Sequence, residues 1–129
     1  MQNINLVKIA KEMMQYAHAP YSGYKVGAAL LCEDGSVYGG CNVEGSSYGT
    51  TICAERTALV KAVSEGKKSF KAIAVCSSGN DYCTPCGICR QMLHDFSPEM
   101  KVLCANNDGE YIEYTLKQLL PHAFSGEVL

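Results

Sequence analysis

Two short stretches concentrate side chains able to bind a metal and move a proton. They are Ile52-Cys53-Ala54-Glu55-Arg56 and Cys83-Thr84-Pro85-Cys86-Gly87-Ile88-Cys89. Thr51 and Thr84 have the chemistry of helix N-caps, and Pro85 suits a first helical position. On that reading Cys53 and Cys86 each lie two residues inside a helix, with Cys89 on the same face as Cys86. Helix N-termini present unpaired N–H groups and a positive dipole end, which favour thiolate, the metal-binding form, over thiol. Three such sulfurs would make a zinc site whose fourth tetrahedral position stays open to water. Zinc there would bring the pKa of that water to about 7. Glu55 stands near enough to handle its proton without serving as a ligand.

The spacing permits other chemistry. A CxxC pair in a reduced protein can be redox-active, and Cys53, Cys83, Cys86 and Cys89 together could form a closed structural zinc site. Cys83-x2-Cys86-x2-Cys89 also begins like an iron–sulfur run, but Arg90 to Asp95 contains no further cysteine to continue it. Against the four-cysteine site, Cys83 precedes the expected cap and Thr84-Pro85 stiffens the segment. Spacing alone leaves these readings open.

The elements that must position these residues are read from periodicity and punctuation. Leu6, Ile9, Ala10, Met13, Met14 and Ala17 follow helical spacing, with Pro20 closing the segment. Lys25–Cys32 and Ser36–Cys41 read as strands joined at Glu33-Asp34-Gly35, a hairpin signal. A polar, glycine-rich loop spans Glu44 to Thr51. A helix is expected from about Cys53 to Glu65, stopped by Gly66. Phe70–Cys76 is a continuous apolar run, as in a buried parallel strand. A helix from Thr84 through Phe96 follows, then a second hairpin from Lys101–Ala105 and Glu110–Tyr114, and a short helix over Thr115–Leu120. The order αββαβαββα predicts an α/β fold with helices on both faces of a mixed sheet, in one domain over residues 1–129.

Composition narrows the class further. Hydrophobic residues make up 47% and charged residues 19%, which suits a chain with its own core rather than a disordered one. A net charge of −2 argues against a dedicated nucleic-acid binder. Lys67, Lys68 and Lys71 read as solvated surface. No apolar run approaches the ~20 residues of a membrane span, and Lys8, Lys11 and Glu12 interrupt the first segment, unlike a signal peptide. A cytoplasmic setting with reduced thiols is expected. Cys32, Cys41, Cys76 and Cys104 then read as small buried hydrophobes. His18, His94 and His122 have no ligand spacing to the cysteines.

Taken together, Cys53-Ala54-Glu55-Arg56 and Pro85-Cys86-x-x-Cys89-Arg90-Gln91 resemble the three-cysteine variant of the zinc-deaminase signature. With Ala19-Pro20-Tyr21-Ser22, Val26 to Leu30, Asn42-Val43-Glu44, Leu119-Leu120-Pro121 and Phe124, most of the chain resembles the small homotetrameric cytidine deaminases. The resemblance implies a three-layer α-β-α fold with a five-stranded mixed sheet, and one Zn²⁺ per chain on Cys53, Cys86 and Cys89. It implies Glu55 as general acid/base and Asn42 and Glu44 as the pair that grips the ribose hydroxyls. It places the Ala54 backbone at the base edge and Tyr24 against the pyrimidine, where the family usually has phenylalanine. Tyr48 and Phe124 match aromatics that a neighbouring subunit contributes, which implies a homotetramer with shared sites. Gly45 stands where asparagine is common. Read from the residues alone, Tyr24 also fits a core aromatic, Asn42 a strand-end turn and Phe124 a tail anchor. Arg56, beside Cys53 in sequence, is expected to offset the excess negative charge of three thiolates on zinc, its alternative being a solvated helix residue. The implied reaction is hydrolytic deamination of cytidine and deoxycytidine, with no nucleic-acid or membrane partner. A deaminase of a modified cytosine nucleoside such as blasticidin is the neighbouring alternative, and a non-catalytic zinc module the more distant one.

Overall fold

In the computed structural model, which describes residues 1–129 apart from the side chain of Val128, the nine expected elements occur in the expected order. They are α1 (Asn3–Met13), β1 (Val26–Cys32), β2 (Val37–Cys41), α2 (Ala54–Ser64), β3 (Phe70–Ser77), α3 (Gly87–Phe96), β4 (Lys101–Ala105), β5 (Tyr111–Thr115) and α4 (Leu116–Leu119). The first helix is shorter than its spacing suggested. It gives way to a 3₁₀ turn at Met14–Tyr16, and Ala17 is already extended so that His18 can bridge to Val43.

The strands form one sheet in the order β2-β1-β3-β4-β5. Only β3 and β4 run parallel, joined through α3, because a parallel pair needs a crossover. The apolar run of β3 therefore reflects burial on both faces, although its other neighbour, β1, is antiparallel. Both hairpins turn on glycines in the left-handed region, Gly35 (φ 91°) and Gly109 (φ 85°).

Period-two alternation divides the core in two. Ala28, Leu30 and Cys32 of β1 face α2 and α3, packing with Ala58, Leu59 and Leu93. Ala29 and Leu31 face the opposite side, where Leu6, Val7 and Ala10 of α1 cover the sheet. This is the three-layer α-β-α arrangement. Cys32, Cys41, Cys76 and Cys104 are buried, as small apolar residues would be. Among the described residues no helix is long and apolar enough to cross a membrane.

One close approach places the site. A Cβ at Gly40 would fall 2.5 Å from both the Ala54 carbonyl oxygen and the Ala58 nitrogen. The first turn of α2 therefore sits directly on the backbone of β2, and glycine is what permits it. Asn42 follows at the end of the same strand.

Candidate active site

Helices α2 and α3 begin side by side, and their N-termini bring the three expected sulfurs together. Cys53 Sγ lies 3.5 Å from Cys86 Sγ, which lies 3.3 Å from Cys89 Sγ. All three fall within 4.8 Å of one another. Zinc–sulfur bonds of about 2.3 Å imply S···S edges of about 3.8 Å in a tetrahedron, so this donor set fits zinc after small adjustments. Cys83 is not part of the cluster. It is buried in the core beneath, with its N–H donating to the Ala105 carbonyl at 3.0 Å. Burial pushes its thiol up to about 12. The four-cysteine structural site is therefore not formed.

The caps differ from expectation. Cys53 and Cys86 are themselves the N-caps of α2 and α3, with extended backbones, rather than residues two positions inside. Ile52 pairs with Val43 as an isolated β-bridge, which keeps the chain extended past Thr51, and the Thr51 hydroxyl instead accepts from the Gly45 N–H at 3.2 Å. Pro85 disfavours helical conformation at Thr84 and is itself fully buried, and the Cys86 backbone is extended, so α3 starts only after Cys86.

Glu55 occupies the first turn of α2 and is 3% exposed. Burial raises the pKa of its carboxyl most, and the Cys53 charge adds to this. The backbone N–H groups of Glu55 itself and of Cys86 pull it partly back, as does the Cys89 thiol. Within the sulfur cluster, hydrogen bonding from Cys89 holds the Cys53 thiol well below its ordinary value, with Arg56 and Cys86 assisting. Cys89 is correspondingly pushed up. Arg56 is half-buried, not solvated: its Nη2 lies 3.7 Å from Cys53 Sγ and 3.4 Å from the Thr51 carbonyl.

A cavity of about 220 Å³ opens onto this centre, lined among others by Tyr24, Asn42, Cys53, Ala54, Glu55 and Cys86. Tyr24 is 46% exposed at its mouth, so it is not a core aromatic. Asn42 is buried, and its amide is partly committed: Oδ1 accepts from Val26 N–H at 3.0 Å and Nδ2 donates to the Tyr24 carbonyl at 2.8 Å. Glu44 lies outside the lining, against the Tyr21-Ser22 turn. Tyr48 and Phe124 also lie outside it, 88% and 54% exposed. The Phe124 carbonyl accepts from Gln91 Nε2 at 2.8 Å, which anchors the main chain there. At Gly45 a Cβ would fall 1.9 Å from Thr50 Oγ1, so a side chain there would displace the hydroxyl that donates to the Ser47 carbonyl.

Two positioning residues were not singled out by sequence. Arg90 donates from Nε to the Pro85 carbonyl at 2.7 Å and from Nη1 to the Leu119 carbonyl at 2.8 Å, fixing the segment just before Cys86. Its signal was a charge directly after a ligand cysteine. Ser22 was visible only within the Ala19–Ser22 motif.

Known proteins show the same pattern. Residues 1–105 match the family model for the cytidine and deoxycytidylate deaminase zinc-binding region. The chain is 49% identical over 125 residues to a cytidine deaminase of Sporosarcina psychrophila, covering 96% of this chain and 92% of that one. It is 31% identical over 128 residues to a blasticidin-S deaminase of Bacillus cereus, covering 93% and 90%. The crystal structure of a cytidine deaminase from Burkholderia pseudomallei superposes with a TM-score of 0.92 at 43% identity, covering 96% of this chain and all of that one. With the sulfur triad, the buried glutamate and the fold in agreement, the chain belongs to the zinc-dependent cytidine deaminase family.

Proposed function

We propose that this protein hydrolyses cytidine and deoxycytidine to uridine and deoxyuridine, releasing ammonia. The observation that carries the reading is that Glu55, Cys53 and Cys86 line one cavity with Tyr24 and Asn42. Zinc bound by Cys53, Cys86 and Cys89 supplies the Lewis acidity that makes a water nucleophilic at neutral pH. Glu55 takes one proton from the attacking water and passes it to N3 of the ring, then takes the remaining hydroxyl proton of the C4 adduct and delivers it to the amine, so that the C4–N bond breaks, C4 becomes a carbonyl and ammonia leaves. Tyr24 stacks on the pyrimidine, the Ala54 backbone meets the base edge, and Asn42 and Glu44 hold the sugar. Asn42 retains one amide N–H and one oxygen lone pair for that purpose beyond the bonds already described.

The substrate is a free nucleoside. None of the residues lining the cavity is a lysine or arginine, so no cationic cradle awaits a phosphate. At about 220 Å³ the cavity of one chain is smaller than the ~300–1,000 Å³ typical of ligand sites, and it stands open. An open pocket of that size suits completion by neighbouring subunits through Tyr48 and Phe124, and the resemblance to the small cytidine deaminases makes the assembly a homotetramer. A single domain over 1–129, a cytoplasmic location and a place in pyrimidine salvage complete the proposal.

The test is absorbance-monitored turnover by purified protein, with zinc measured on the same sample. Cytidine and deoxycytidine should be consumed, cytidine monophosphate spared, and about one zinc per chain found. Turnover of blasticidin S in preference to cytidine would move the assignment to that relative's activity. Stoichiometric zinc with no turnover of either would favour a non-catalytic module.

A further inference from the structure

We infer that the Ser22 hydroxyl is a positioning group that locks the Glu44 carboxylate for the sugar and ties it to the Tyr24 backbone. The inference rests on the sugar-binding role proposed for Glu44 and goes beyond it to the residue that sets its geometry. Glu44 Oε1 accepts from the backbone N–H groups of Tyr21 (3.0 Å) and Ser22 (3.1 Å). Its Oε2 accepts from the Ser22 hydroxyl. That same hydroxyl accepts from the Tyr24 N–H at 3.0 Å. At the other end of Tyr24, the carbonyl accepts from Asn42 Nδ2 at 2.8 Å.

A serine hydroxyl has one proton and two lone pairs. Here the proton goes to Glu44 and a lone pair to Tyr24, so both the rotor and the carboxylate plane are set before substrate arrives. Counting lone pairs, Oε1 is filled by two donors, whereas Oε2 keeps one acceptor direction. Glu44 therefore takes one sugar hydroxyl. Cytidine and deoxycytidine share the 3′-hydroxyl, and the experiment below removes it. Both candidate sugar-binding residues thus hold the backbone of Tyr24, Asn42 directly and Glu44 through Ser22. Sugar grip and ring placement form one hydrogen-bonded unit.

The experiment measures kcat and KM of the wild-type protein, Ser22→Ala and Ser22→Thr on deoxycytidine and on 2′,3′-dideoxycytidine, which differ only in the 3′-hydroxyl. The wild type should show a clearly higher KM for the dideoxy substrate. Ser22→Ala should raise KM for deoxycytidine about tenfold, as expected for losing a hydrogen bond to a charged group, with kcat within about twofold. On the dideoxy substrate its KM should move less than about twofold, since the grip it orients is unused there. Ser22→Thr, which keeps the hydroxyl, should recover most of the loss. Equal KM rises on both substrates, no rise on either, or a loss confined to kcat would overturn the role of Ser22 while leaving that of Glu44 intact. A wild type indifferent to the 3′-hydroxyl would overturn the Glu44 reading itself, and the inference with it.

Discussion

Removing Arg56 should cost this protein most of its turnover without costing it the metal. Two positive charges on zinc and three thiolates sum to −1, and excess negative charge weakens the ion as a Lewis acid. A cation donating to a sulfur withdraws part of that charge. Arg56 Nη2 stands 3.7 Å from Cys53 Sγ, and its Nε is buried with no hydrogen-bond partner, so the guanidinium is held at the sulfur at a cost to itself. At such a distance and an effective dielectric of about 20, a unit charge pair is worth about 4 kcal/mol. Only the share that changes between ground and transition state affects rate. A third to two-thirds of it, ~1.4–2.8 kcal/mol, corresponds to ~10–100-fold.

Arg56→Ala should therefore lower kcat on cytidine by ~10–100-fold, with zinc retained, the usual scale for a group supporting a ligand. Cys53→His removes the excess charge and should recover some activity in the Arg56→Ala background. The assay is a double-mutant cycle over Cys53 and Arg56, with kcat and zinc content measured for all four proteins. Additive losses, or an Arg56→Ala protein with unchanged turnover, would refute charge compensation.

Glu55→Gln keeps shape but cannot shuttle a proton, so turnover should fall at least ~10²-fold while zinc analysis still finds the metal; near-normal turnover would remove Glu55 from the mechanism. Cys83→Ser should leave zinc at about one per chain by metal analysis, because its sulfur lies outside the triad. Sedimentation should give a tetramer, and truncation before Phe124 should raise KM more than it lowers the melting temperature; an active monomer would contradict the shared pocket. The Glu44 pKa is lowered first by the Ser22 hydroxyl, then by the N–H groups of Ser22 and Tyr21. Its stabilisation is fully present above the unfolded carboxylate pKa of about 4.3 and is lost as pH falls through the lower folded value. Urea midpoints should therefore drop more steeply below that pH in the wild type than in Glu44→Gln.

What was legible in the sequence is what depends on local pattern. The nine elements follow from period-two and period-3.6 runs punctuated at Gly35, Gly66 and Gly109, each of which adopts the positive φ its turn requires. Spacing offered the sulfur triad beside a four-cysteine site, and the resemblance to the zinc-deaminase signature chose between them. Long-range relations were not legible. Nothing in Gly39-Gly40 announces that α2 will press its backbone on Gly40, since the contact joins residues distant in sequence. Asn42 was read as either a turn residue or a sugar ligand, yet its amide bonds the backbone of Val26 and Tyr24 while still lining the cavity.

The misplaced caps carry their own lesson. Where α4 begins, away from the sulfurs, the ordinary rule holds: Thr115 accepts from the Gln118 N–H at 3.2 Å and Gln118 Oε1 accepts from the Thr115 N–H at 2.8 Å. Where α2 and α3 begin, a cysteine takes the cap position and neither side chain caps. A serine or threonine there would return its oxygen to the first turn, typically worth ~0.5–2 kcal/mol. The cysteines forgo that bond, and their sulfurs meet one another between two helix N-termini, whose positive ends favour thiolate. A local preference is overridden where the chemistry of the site requires another atom in that place. Packing makes the exchange tolerable, because Ala54 and Ala58 of α2 are fully buried, with α2 seated on Gly40, and Arg90 braces the start of α3. The two-residue offset from Thr51 to Cys53 and from Thr84 to Cys86 thus marks the positions at which helix stability yields to metal binding.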